Sequence, residues 1–239
     1  MTMRKFLAFL SLLIGASAIS LLARPTPLLA DEPKDRGVFI LKIGGKQMGT
    51  ETFEIVTRKD AVEASAKIDL RVHQDGKSVE FKTSPHLVLT PDLNPVSYEW
   101  SQKGAQSSDL QVDMRGPRAT AKYKTVTGAE DVREFELPPG LVILDNNVIH
   151  HYQIAVLRYR RAGGGKKTFR AFIPQEALPG ALEIEDAGPD RTEVGGRDQL
   201  LEHLVMTTDN ARIDLWIDGQ DRLQKLAIPA AQLEVFRKK

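Results

Sequence analysis

The 239-residue chain contains no cysteine, which removes a disulfide framework, a thiolate zinc site, a cysteine nucleophile and a lipidated N-terminal cysteine from consideration. It also has almost no excess charge, +1 overall, and loss of Arg4, Lys5 and Arg24 with an N-terminal leader takes it to −2. Phosphate neutralisation needs clustered Lys and Arg, so nothing here points to nucleic acid as a partner. The short groups Arg158-Arg160-Arg161 and Lys166-Lys167 read as a solvated helix end and a loop. A Gly-x-Ser-x-Gly elbow, a His-Glu-x-x-His helix and a phosphate loop are all missing, and Gly163-Gly164-Gly165 follows a candidate helix where a phosphate cradle would precede one. There is no fixed-period repeat and no low-complexity segment, which argues against solenoids and propellers. No cofactor and no metal site are expected.

What is present begins at the N-terminus. Arg4 and Lys5 precede an apolar stretch from Phe6 to Leu22, the basic-then-apolar layout of a secretion signal, slightly short of the roughly 20 residues of a membrane span. Two cleavage positions compete. Ala16-Ser17-Ala18 has small-x-small spacing, and Ala30 stands before the acidic start Asp31-Glu32-Pro33. The reading favours residues 1–30 as a signal peptide and 31–239 as a single β-rich domain, periplasmic or secreted, with no stable membrane span once the signal is removed. Retention as an uncleaved anchor is the alternative. Without disulfides, an exported domain of this length must be held by core burial.

From Gly37 onward apolar residues recur at every second position in short segments, the period of a strand with one buried face. Val38–Ile43 and Gly49–Val56 flank Gly44-Gly45, and Asp75-Gly76 separates two further segments, both hairpin signatures. Short connections pair strands antiparallel, whereas parallel pairing needs long crossovers. One stretch departs from this period: Leu144, Val148, His151 or Tyr152, Ala155 and Tyr159 are spaced for one helical face, with Asp145 or Asn146 placed to cap it and Gly163-Gly164-Gly165 to end it; a long buried strand is the alternative, because Val148, Ile149, Ile154 and Val156 are β-branched. The expected fold is therefore mainly β: a strongly curved antiparallel sheet, an open or half-barrel meander, with one helix packed on it.

Two segments also carry a resemblance. Ile213-Asp214-Leu215-Trp216-Ile217-Asp218-Gly219 followed by Arg222–Pro229, and Leu144-Asp145-Asn146-Asn147-Val148-Ile149-His150-His151-Tyr152, resemble exported bacterial β-domains of unknown function. These are similar in broad shape to the half-barrel lipoprotein carriers of the periplasm. The resemblance implies a curved sheet wrapped around a helix with an apolar concavity, and it transfers no functional residue.

Candidate sites are few. His150-His151 beside Asp145 suggests a metal, but adjacent helical residues diverge by about 100° and their rings do not readily reach one ion. Asp109 with Asp113, or Glu183 with Glu185, offer paired carboxylates for a glycan hydrolase, yet same-strand pairs at even spacing usually form a solvated face. On Ile213–Asp218 the odd residues share one face while Asp214, Trp216 and Asp218 share the other. The reading carried forward is a non-enzymatic exported protein that binds a lipid or other apolar ligand in a concave sheet, with Trp100, Tyr152, Phe172 and Trp216 as candidate ligand-binding residues. The alternative is an envelope structural or protein-interaction module, docking a partner protein through the Trp216 face or an edge strand.

Overall fold

The computed structural model describes residues 33–74, 77–104 and 107–238. The expected leader over residues 1–30 and the Asp75-Gly76 turn lie outside the described residues. Eight strands run in sequence: β1 (Pro33–Ile43), β2 (Lys46–Thr57), β3 (Val62–Gln74), β4 (Lys77–Leu89), β5 (Pro95–Gly104), β6 (Ser108–Arg115), β7 (Arg118–Lys124) and β8 (Glu130–Glu136). A two-residue β9 (Val142–Ile143) and the helix α1 (His150–Arg161) follow. The chain then continues through β10 (Lys167–Ile173), β11 (Leu178–Val194), β12 (Arg197–Thr208), β13 (Arg212–Ile217), β14 (Leu223–Ile228) and β15 (Leu233–Arg237).

All of these strands belong to one sheet in the order β8 to β1, then β15 down to β9. Short turns make neighbours antiparallel, as expected. Two pairings were not legible in the sequence. β15 returns to lie against β1, joining the two meanders, and β9 pairs parallel with β10. The two-residue alternation sets the faces: on β2, Glu51, Phe53 and Ile55 are buried while Thr52 and Glu54 are exposed. On β13, Ile213, Leu215 and Ile217 enter the core and Trp216 looks outward.

The sheet curls until its two ends approach. Phe135 of β8 meets Phe172 of β10 with ring centroids 4.9 Å apart, and the Tyr123 hydroxyl donates to the Pro174 carbonyl at 2.9 Å. Among the described residues no ladder joins these ends, so the sheet stays open rather than closing into a barrel. Helix α1 occupies the concave side, burying Ile154, Ala155, Val156 and Tyr159 in the same apolar core as the strands.

The helix starts later than its periodicity suggests. Val142 and Ile143 are taken by β9, Leu144 continues that pairing by donating its N–H to the Phe172 carbonyl at 3.1 Å, and Asn147 sits at φ 59°. The first helical residue is therefore His150, and neither Asp145 nor Asn146 caps it. The basic last turn is likewise less solvated than expected. Arg158 and Arg160 are half-buried; Arg158 donates to the Leu93 carbonyl at 2.9 Å, and Arg160 donates to Asp221 at 2.8 Å and to Glu202.

β11 is 17 residues long. A register shift between Asp186 and Gly188 lets its distal half bend over the outward face of β13–β15. There Asp190 accepts the Trp216 indole N–H at 2.8 Å, Thr192 accepts from Lys225 at 3.1 Å, and Val194 is buried apart from the main core.

Gly49 shows how tightly the ladders are drawn. A Cβ there would lie 2.2 Å from the Asp69 carbonyl oxygen and 2.7 Å from a Leu70 methyl carbon. Gly49→Ala is expected to cost about 1–3 kcal/mol in chemical denaturation because backbone must move to admit the methyl. Gly219→Ala, with nothing within 4 Å of the added carbon, is expected to stay within about 0.5 kcal/mol of the parent.

Candidate functional site

Two features stand out, one polar and buried in the core, the other open on the outward face of the sheet. The first is sealed beneath the helix. Glu51 on β2 is fully buried, and its carboxylate accepts the Ile149 N–H at 2.6 Å and the His150 N–H at 2.7 Å. His150 Nδ1 lies 2.9 Å from the same oxygen as the His150 amide and supplies a third donor. These are orphan amides of a helix start, where the dipole also favours a negative charge. A strand residue nearly 100 positions upstream thus does the work of an N-cap. The sequence carried one signal: Glu51 shares the parity of Phe53 and Ile55, so alternation alone places it on the apolar face.

The neighbouring polar groups are equally enclosed. The Asp145 N–H donates to His151 Nδ1 at 3.1 Å, so that ring carries its proton on Nε2. The Tyr98 hydroxyl donates to Asp145 at 2.7 Å, and the Gln175 N–H donates to the other Asp145 oxygen at 3.0 Å. Burial holds the His151 imidazole well below its usual range, with the adjacent His150 adding to the effect. Burial likewise raises the Asp145 carboxyl and the Tyr98 hydroxyl, the latter further raised by Asp145. Nε2 of both histidines is buried without a partner, and among the described residues no three metal-ligating side chains converge. At the far end of the same face Arg237 grips Asp35 through two bonds of 2.7 and 2.8 Å and lies over the stacked rings of Phe39 and Phe53. Glu51, Tyr98, Asp145, His150, His151 and Asp35 are all buried.

The four residues singled out from sequence do not assemble. Trp100 and Phe172 are core side chains on β5 and β10. Tyr152 packs on α1, where burial pushes its hydroxyl up to about 12. Trp216 lies on the opposite face, stacked on His203 at 4.9 Å, beneath Lys225 and bonded to Asp190. Among the described residues no ring contact links any two of the four. Three of the four carboxylates considered for hydrolysis are paired with surface cations: Asp113 with Arg115 at 2.9 Å, and Glu183 and Glu185 with Lys166 at 2.6 and 3.9 Å.

The second feature is open. A groove of about 800 Å³ crosses the outward face of β1–β4. Phe53, Ala66 and Pro85 line it although their side chains point to the core, so part of its floor is strand backbone. Val38, Ser65 and Ser84 keep that floor low, and Arg36, Glu54, Lys67 and His86 stand around it. The β3–β4 ladder is broken at this place. Ser65 pairs with His86 and the rungs resume at Ile68 with Thr83; the two missing rungs face Pro85 and Ser84. Proline has no N–H to give, so the Ala66 carbonyl loses its ladder donor. The sequence signal was a proline inside an alternating run, which sequence reading takes as a boundary between two strands.

Glu51→Ala strands the Ile149 and His150 amides inside the core and is expected to cost about 3–5 kcal/mol in denaturant titration; Glu51→Gln, which keeps an acceptor oxygen, should cost less. The pH dependence has a definite sign. His151 binds its proton more weakly folded than unfolded, so stability should decline as pH falls below 6.5. Asp145, raised above 3.8, opposes that decline in the window just above 3.8. Tyr98 and Tyr152, raised above 10, should make stability fall again as pH climbs past 10. Midpoints measured across pH should show both limbs, and His151→Asn, which keeps an acceptor for Asp145, should flatten the acid limb.

No family model and no curated protein matches the chain. Among solved structures, a β-barrel-like protein of the domain of unknown function DUF1849 from Brucella abortus is similar over 85% of this chain and 94% of its own, at 10% identity and a TM-score of 0.56. A DUF1089-family protein from Pseudomonas aeruginosa covers 76% of this chain and 90% of its own, at 12% identity and a TM-score of 0.47. The first likeness shows a shared β-barrel-like fold with a domain whose function is unknown.

Proposed function

We propose that this protein is an exported, non-catalytic binding domain that takes an apolar or amphiphilic ligand in the outward groove across β1–β4. The observation that carries the reading is the ladder break at Pro85, which leaves uncovered backbone between β3 and β4 at the floor of an 800 Å³ groove. Uncovered strand backbone is costly unless solvent or a ligand satisfies it. The concave face, where the sequence reading put the ligand, is occupied by α1 and the core side chains around it, so the ligand is moved to the other side of the sheet. Export rests on the basic-then-apolar N-terminus and is tested by fractionation of cells expressing the full chain.

The alternative, an envelope protein-interaction module, draws support from β8. Among the described residues this edge strand is paired only with β7, and it is exposed along its length except at Phe135. Its charged side chains resemble the devices by which natural edges avoid pairing, so the groove is favoured.

A neutral dye, N-phenyl-1-naphthylamine, should brighten on binding the wild-type protein, and Ser65→Trp, which fills the groove from an exposed position, should abolish the signal without shifting the unfolding midpoint. Undiminished dye binding by the Ser65→Trp variant would place any apolar site elsewhere.

A further inference from the structure

The groove also specifies what kind of head group its ligand carries, an inference that rests on the reading just given. Arg36, Glu54, Ser65 and His86 form one row across the outward face, and Val38, Thr52 and Lys67 form the next. His86 is 3.9 Å from Glu63, outside the groove lining. Arg36, Glu54 and Lys67 make no side-chain ion pair or hydrogen bond among the described residues, although Arg36 and Glu54 are register partners. Two free cations against one free carboxylate give the rim a positive balance. Between the rows, at Ala66, lies a backbone carbonyl whose ladder donor has been replaced by the ring of Pro85.

We propose that the groove binds a single-chain N-acyl amphiphile with an anionic head: its amide N–H donates to the Ala66 carbonyl, its carboxylate turns over β3 toward Lys67 with Arg36 on the far side of the groove, and its alkyl chain leaves in the other direction over Ser84. Each part answers one feature of the site. A plain fatty acid offers no donor next to its chain, and a neutral acyl amide offers nothing to the rim cations. Glu54 disfavours the head group, so the site works as a weak, salt-sensitive selector with exposed charges.

The test displaces N-phenyl-1-naphthylamine from the wild-type protein with three ligands of equal chain length: N-dodecanoylglycine, its ester analogue O-dodecanoylglycolate, which lacks the N–H, and the neutral N-dodecanoylethanolamine. N-dodecanoylglycine should bind roughly threefold to tenfold more tightly than the ester, the worth of one hydrogen bond to a neutral acceptor. It should bind roughly twofold to fivefold more tightly than the ethanolamide, a preference that fades with added salt.

Two variants then separate the contacts. Pro85→Ala restores a backbone N–H to β4, which gives the Ala66 carbonyl its ladder donor, closes the gap and should erase the amide-over-ester preference while leaving the charge preference. Arg36→Gln with Lys67→Gln should do the reverse. Equal displacement by all three ligands, with Ser65→Trp still abolishing dye uptake, overturns the head-group assignment and leaves the groove reading standing. An amide preference that survives Pro85→Ala also overturns it. Absence of dye uptake by the wild-type protein overturns both.

Discussion

A helix that begins inside a curled sheet must find acceptors for its first amides where no water can supply them, and here a single carboxylate from the second strand meets that demand. Glu51 receives Ile149, His150 and the His150 ring at 2.6–2.9 Å. Burying a carboxylate is costly in itself, and it is tolerated because its charge faces three donors and the positive end of the helix dipole. The consequence reaches well beyond the local contacts. Once α1 is held at its start by β2 and at its end by Arg158 and Arg160, the concave face has an occupant supplied by the chain itself. The concave side of the open sheet is then filled from within by the helix and the core side chains around it.

The same logic of satisfied and unsatisfied backbone distinguishes the outward features. Trp216, which on sequence grounds is an attractive exposed platform, is covered by the distal arm of β11 through Asp190 and flanked by His203 and Lys225. Its indole N–H is satisfied by Asp190 at 2.8 Å and its ring by His203 and Lys225. At Pro85 the opposite holds. Two rungs are missing in the middle of a central ladder, Ser65 and Ser84 beside the gap are small, and a groove runs across it. Proline inside a paired strand is uncommon because it removes a ladder bond, and the cost of that bond is what makes the groove informative.

Much of this architecture was legible in the sequence because a half-buried strand writes its geometry as alternation. The two faces of β13, the hairpins around Gly44-Gly45 and Asp218-Gly219, and a single helix ending before Gly163 all follow from local spacing and turn chemistry. What was hidden depends on partners distant in sequence. β15 is five residues long and gains its place only from β1. The first turn of α1 lost its expected residues to β9, a pairing decided by β10. β11 continues through Gly188 and Pro189, residues poor in strand propensity that are held in the sheet by pairing with β12. Glu51 and Pro85 are the instructive cases, since each was visible as a violation of its strand's own pattern, a charge at an apolar position and an imino acid inside an alternating run.

The anchoring of α1 by Glu51 can be read directly by native-state hydrogen exchange, amide by amide. If the carboxylate holds the helix start within the sealed concave face, the Ile149 and His150 amides exchange as slowly as those in the centres of β2 and β13. Exchange of these two amides at the rate of the exposed Asn146–Asn147 turn would contradict the account, because the helix would then be free to leave and the concave face would be open to a ligand.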